Sequence, residues 1–263
     1  MGAIYSGIVS RDGYVFATND IFGASPDECA IVRVNSRCGG FIVTAKGNLL
    51  SKVMEVLKAC LSRLHGMPEG ISEDHATAIK ESFLEERRKE PDGSQRPLPF
   101  LLLLVGYHPE RPGSLEHIFI RNRVTDILEK SGTKEYITCF DMRPPVPSGN
   151  LFYGHSELSR YLSRQLPSDG LEGEITEILS YLSIAETQII DKSLFPGIRM
   201  ATLSDANGFA WVGEEVLHGL AEKSRKADGW LTQGLINSFF RQVTNRHINN
   251  ERERKLPGVN ACD

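Results

Sequence analysis

Gly7-Ile8-Val9-Ser10-Arg11-Asp12-Gly13-Tyr14-Val15-Phe16-Ala17 reads as two short strands folded back on one another. Ile4, Gly7–Val9 and Tyr14–Ala17 are β-prone, and Arg11-Asp12-Gly13 between them is a hairpin signal, because glycine accepts the backbone angles of a tight turn. A second β pair follows. Ala30–Val34 is apolar and β-branched, Asn35–Gly40 is turn-rich, and Phe41–Ala45 resumes the strand. The period then changes from two to between three and four. Leu49, Leu50, Val53, Val56, Leu57, Cys60, Leu61 and Leu64 fall on one helical face, and His65-Gly66-Met67-Pro68 stops it.

Working outward, Ser72 followed by Glu73 and Asp74 predicts the start of a second helix running to about Lys89. Glu90–Pro99 is a loop by composition, and Phe100–Tyr107 is an apolar strand. A turn at Pro109–Gly113 and a strand at Leu115–Arg121 complete that pair. Prolines within Pro144–Pro147 break the chain before a β-like run at Leu151–Tyr153. Helical spacing returns at Leu158, Tyr161 and Leu162, and at Ile175, Ile178, Leu179, Leu182, Ala185 and Ile189. Ile198–Leu203 and Gly208–Val212 flank a hairpin signal at Asp205-Ala206-Asn207-Gly208, and helical stretches follow at Glu214–Lys226 and Trp230–His247. Blocks of antiparallel strands with helices between them predict an α+β fold, a four-layer α/β/β/α sandwich of two antiparallel sheets. One domain is expected over 1–248, with a mobile tail over 249–263.

Composition narrows the function classes. Of 263 residues, 40% are apolar and 24% charged, an ordinary globular balance that excludes disorder and fibrous repeats. The net charge of −4 argues against a general nucleic-acid or anionic-membrane binder. The apolar run Leu101–Val105 is far short of the roughly 20 residues that span a bilayer. Met1–Gly13 has no charged start with an apolar middle, so no signal peptide is read there. Five cysteines without a CxxC pair fit a reducing cytoplasm, and neither cofactor nor metal is expected.

Several blocks together carry a family likeness. They are Gly7–Ala17, then Ala45-Lys46-Gly47-Asn48-Leu49-Leu50, then Leu103-Leu104-Val105-Gly106-Tyr107 with Leu115–Ile120. Phe152-Tyr153-Gly154-His155-Ser156-Glu157 and Asp191–Gly197 with Ile198–Leu203 complete the series, in order along about four-fifths of the chain. In this the chain resembles proteasome-type subunits of the N-terminal-nucleophile (Ntn) hydrolases. The resemblance implies the four-layer sandwich and a site built on a mature N-terminal Thr, Ser or Cys, whose own amine serves as base. A lysine adjusts that centre, and an aspartate orients the lysine.

Carried over residue by residue, the site is degraded. The nucleophile position falls on Ala3, which has no side-chain oxygen or sulfur. The orienting aspartate falls on Asn19, with Asp20 next to it. The lysine position falls near Ala30, and Arg33, the only cation of that strand, is always protonated and cannot do a lysine's proton work. A supporting serine falls on Leu194, while Asp191 is kept. The resemblance therefore implies a non-catalytic structural subunit that self-associates, or joins related proteasome-like chains, in a ring or filament. An active Ntn-type peptidase or amidase using an unmasked Ser6 is the alternative, as is a small-molecule-binding module in the former cleft. Cys29 and Cys38 read as buried packing residues rather than zinc ligands, His155 as a capping or solvated residue rather than a base, and Glu85–Glu90 as a solvated helix face. The stripe Trp230, Leu231, Leu235, Phe239 and Val243 suits a core or an interface equally.

Overall fold

The computed structural model describes residues 4–19, 31–44, 50–64, 66–89, 98–130, 133–153, 166, 170–190 and 197–224. The opening hairpin is β1 (Tyr5–Ser10) and β2 (Gly13–Asn19), antiparallel, with Tyr5 opposite Thr18 and Ser10 opposite Gly13. Gly13 has φ +153° and lies so close to the Leu203 carbonyl that a Cβ would collide with it, so glycine is required at this corner. β3 (Ile31–Asn35) and β4 (Cys38–Thr44) form the second hairpin, and α1 (Leu50–Ser62) and α2 (Glu73–Arg88) follow. Then come β5 (Phe100–His108), β6 (Arg111–Lys130), β7 (Thr133–Met142), β8 (Val146–Pro147) and β9 (Leu151–Tyr153). Helix α3 (Gly173–Ile190), strands β10 (Ile198–Ser204) and β11 (Gly208–Trp211), and helical residues 214–224 (α4) complete the described chain.

The strands form two antiparallel sheets. The first has the order β11-β10-β2-β1-β9, and the second β3-β4-β5-β6-β7, with β8 pairing β6 beside His117. Period-two alternation decides which faces meet. Tyr5, Tyr14 and Phe16 of the first sheet point toward the second, where the Phe41 ring lies 5.4 Å from Tyr5 and 5.2 Å from Phe16. The second sheet's other face carries Leu102, Leu104, Ile118 and Ile120, buried in one cluster with Val53, Leu57, Ile79 and Phe83 of α1 and α2. The first sheet's other face carries Ile4, Ile8, Val15 and Ala17, which pack on Leu179, Leu182 and Ile184 of α3 and on Leu220 of α4. The molecule is thus α+β, with two antiparallel sheets face to face and helices against each outer side.

Two features depart from the sequence expectation. The strand expected at Leu115–Arg121 runs over Arg111–Lys130 and turns back as β7, so a two-stranded ribbon continues beyond the end of β5. In α3, Ile175 was expected on the apolar face but is 45% exposed, and Thr176, Ser180, Ser183 and Thr187 are buried instead. The mobile tail expected over 249–263 and the stripe over Trp230–His247 lie outside the described residues.

Candidate functional site

The start of β1 is where the resemblance places the chemistry. Three side chains fix the backbone there. The Ile4 amide donates to Asn19 Oδ1 at 2.8 Å, Thr18 Oγ1 donates to the Ile4 carbonyl at 2.7 Å, and Tyr5 Oη donates across the sandwich to the Ile42 carbonyl at 2.6 Å. Ile4, Tyr5, Thr18 and Asn19 are all buried, so these bonds form away from water and are costly to break. Asn19 also lies opposite Ile198 of β10, which ties the same corner to the sheet's other side. The result is a closed corner held by neutral groups. Its one amide oxygen that resembles the expected carboxylate is engaged by a backbone N–H.

Ser6 and Arg33, the other expected site residues that are described, lie on different sheets. Ser6 sits two residues into β1, opposite Ala17 on one side and Phe152 on the other. It is fully buried, and its hydroxyl has no hydrogen-bond partner among the described residues. Arg33 is exposed on β3, at the edge of the other sheet, opposite Gly39. Ala3, Asp20, Cys29, Ala30, His155, Asp191 and Leu194 lie outside the described residues. Cys38 is buried, and burial pushes its thiol well above the ordinary range, so it stays protonated and packs as an apolar group. Cys60 is raised to about 11, first by burial and then by the Glu86 charge. Among the described residues no group of three His, Cys, Asp or Glu side chains is placed to hold a metal ion.

A serine–histidine hydrogen bond occurs elsewhere, at the start of α2. Ser72 Oγ and His75 Nδ1 are 2.8 Å apart, and His75 Nε2 lies 2.9 Å from the Pro68 carbonyl. A carbonyl can only accept, so Nε2 carries the proton and Nδ1 accepts from the serine. Burial lowers the His75 pKa, which keeps this neutral tautomer. The pair closes the turn before the helix, and neither residue lines either of the cavities described below.

Among the described residues, two of the cavities between or beside the sheets bear on the site. One, of about 780 Å³, lies where the β1–β2 and β10–β11 turns meet β5 and β6, with Asp12, Tyr107, Asp205 and Asn207 among its lining residues. Tyr107 Oη donates to the Asp12 carbonyl at 3.0 Å. The Arg37 guanidinium lies over the Tyr107 ring, 5.0 Å from its centre, and pairs with Asp205. Burial, helped by the Asp205 charge, pushes the Tyr107 phenol up to about 12, so it remains a donor at neutral pH. The other cavity, of about 200 Å³, is lined by Leu101, Phe119, Arg121, Asp141 and Arg143. Sequence reasoning missed both. The second depends on strand register, which sets Arg121 opposite Asp141, residues 20 apart in the chain. Neither cavity pairs a nucleophile with a base among its described lining residues.

No protein-family model matches the chain, and no curated protein matches its sequence. No helix among the described residues is long and apolar enough to cross a membrane.

Proposed function

We propose that this chain is a non-catalytic subunit with a proteasome-like Ntn-hydrolase fold, acting by assembly with copies of itself or with related chains. The order of elements supports the reading. The segment Gly7–Ala17 lies on the β1–β2 hairpin, Leu103–Tyr107 on the inner strand β5, and Ile198–Leu203 on β10 beside β2. The observation that carries the non-catalytic half is the Asn19 to Ile4 hydrogen bond. A neutral amide holding a backbone N–H cannot orient a lysine by charge. The residue before Ile4 is Ala3, which brings no nucleophile.

Assembly is what the resemblance implies, and the exposed apolar side chains are candidate contacts for it. Ile175, Trp211 and Val216 are 45%, 37% and 51% exposed, on α3, β11 and α4. Light scattering on the purified chain tests the reading. A particle larger than a dimer is expected at micromolar concentration, and a monodisperse monomer of 29.2 kDa overturns it. Intact mass tests the catalytic half. Loss of the first five residues, giving Ser6 a free amine, would make the chain an active hydrolase candidate instead.

A further inference from the structure

We propose that the Arg121–Asp141 row is a binding site for a small anion, a carboxylate or a phosphate monoester carried on a short apolar body. The row lies on the face of the second sheet that turns toward the first. Leu101, Arg121 and Asp141 are cross-strand partners on β5, β6 and β7, one two-residue step from the Leu103–Phe119 row. Phe41, which packs on Tyr5, is the β4 member of that neighbouring row. Residues two apart on a strand share a face, so Arg123 and Cys139 project beside Arg121 and Asp141.

The charges do not cancel. Asp141 Oδ2 receives Arg121 Nη2 at 2.8 Å and Arg123 Nε at 3.1 Å, while Oδ1 receives the Cys139 thiol at 3.0 Å. Those contacts hold the Asp141 carboxyl below its usual range, the Cys139 bond most and the Arg121 bond next, so it stays ionised. Arg143 stands at the end of the row. Its backbone N–H donates to the Phe119 carbonyl at 3.0 Å, and no ion pair engages its side chain among the described residues. The cavity lining thus carries Arg121 and Arg143 against the one carboxylate of Asp141, which Arg123 also engages from beside the lining, in a chain whose net charge is −4. Each guanidinium offers five N–H donors in a planar fork, most of them left over here, and that fork matches a carboxylate or phosphate.

Size and floor set the rest of the ligand. Leu101 and Phe119 give the cavity an apolar side, and about 200 Å³ is below the range of drug-sized sites. A compact anionic head on a few carbons fits that combination. A cation is refused by the arginines, and a neutral alcohol leaves them unpaired. The inference does not rest on the assembly reading, because the row is complete within one chain.

The test is calorimetric titration of the full chain with hexanoate, butyl phosphate and hexan-1-ol. At least one anion is expected to bind and the alcohol is not; which anion binds separates carboxylate from phosphate recognition. Arg143→Gln, at an exposed position, should weaken binding about tenfold or more, the usual loss when a charge-assisted bond is removed. Arg121→Gln should do the same, with a melting curve to show that the variant is folded. Asp141→Asn should tighten binding, because it releases two guanidiniums. Failure of both anions to bind, equal binding by Arg143→Gln, or weaker binding by Asp141→Asn would each overturn the proposal.

Discussion

The two faces of the first sheet are packed in different ways. Toward the second sheet it presents rings. Tyr5 and Phe16 meet Phe41, and Phe209 stands 5.8 Å from Phe16 beside them. Toward α3 it presents Ile4, Ser6, Ile8, Val15 and Ala17, and the helix answers with a buried row of hydroxyls, Thr176, Ser180, Ser183 and Thr187. That row runs between two apolar stripes, Ile184 on one side and Leu179 with Leu182 on the other, both of which meet the sheet. Large rings fill space and bury area, whereas small side chains let a helix sit close to a sheet. The hydroxyls remain tolerable because most bond back to their own helix: Thr176 to the Glu172 carbonyl at 3.0 Å, and Ser183 to Ser180 and Thr187 to Ser183, both at 2.9 Å.

The largest effect is expected on the ring side. Phe41→Ala removes the ring shared by Tyr5 and Phe16 and should cost about 3–5 kcal/mol, a fall in melting temperature of roughly 10 °C for a chain of this size. Ser183→Ala, by contrast, removes only a hydroxyl bonded within the helix and should change the melt by about 1 °C or less. Comparable losses in the two variants would break the distinction between the faces.

Overpacking gives the next largest effects and sharpens the contrast. A Cβ on Gly39 would press into the Phe209 ring, so Gly39→Ala should cost about 1–3 kcal/mol. Adding Phe209→Leu should recover part of that loss, which a double-mutant cycle measures as coupling. On the helix side, Ser183→Leu is expected to cost a similar amount, because the close approach leaves no room for a larger side chain. A neutral Ser183→Leu would mean that α3 stands further from the sheet than the packing requires.

The contrast also explains what the sequence disclosed. The ring side was legible. Tyr14 and Phe16 alternate with Val15 and Ala17 in β2, and the turn residues Arg11-Asp12-Gly13 mark the register, so the β1–β2 hairpin falls where the pattern puts it. The helix side was misread because apolar periodicity cannot see a hydroxyl satisfied by its own backbone. It placed Ile175 inward, whereas Thr176 and Ser180 occupy that place. The β6–β7 ribbon was missed for a related reason: beyond Arg121 the strand carries charges at Arg123, Asp126, Glu129 and Lys130, which read as loop until a partner strand supplies its hydrogen bonds. Of the expected site, Ala3, Asp20, Ala30, Asp191 and Leu194 lie outside the described residues, and Asn19, which accepts from the Ile4 amide, lies within them. The arginine row was not legible at all, since Arg121 and Asp141 become neighbours only through the register of that ribbon.

The last expected effect has the opposite sign. Among the described residues, Ser6 and Ser180 are the members of the two facing surfaces whose buried hydroxyls have no hydrogen-bond partner. Leaving a buried hydroxyl without one costs about 1–3 kcal/mol relative to a satisfied group, so its removal should relieve part of that cost. Ser6→Ala deletes one oxygen, leaves the strand pairing to Ala17 and Phe152 intact and creates little empty space. It is therefore expected to raise stability by about 1 kcal/mol, or roughly 2–4 °C in the melt. The same variant bears on function, because Ser6 is the hydroxyl that an unmasked N-terminal nucleophile would use. A higher melting temperature with no change in any amide hydrolysis places Ser6 among the packing residues of this face. A lower melting temperature would show that the hydroxyl has a partner within the fold, and loss of hydrolysis would make it a nucleophile, ending the non-catalytic reading of the chain.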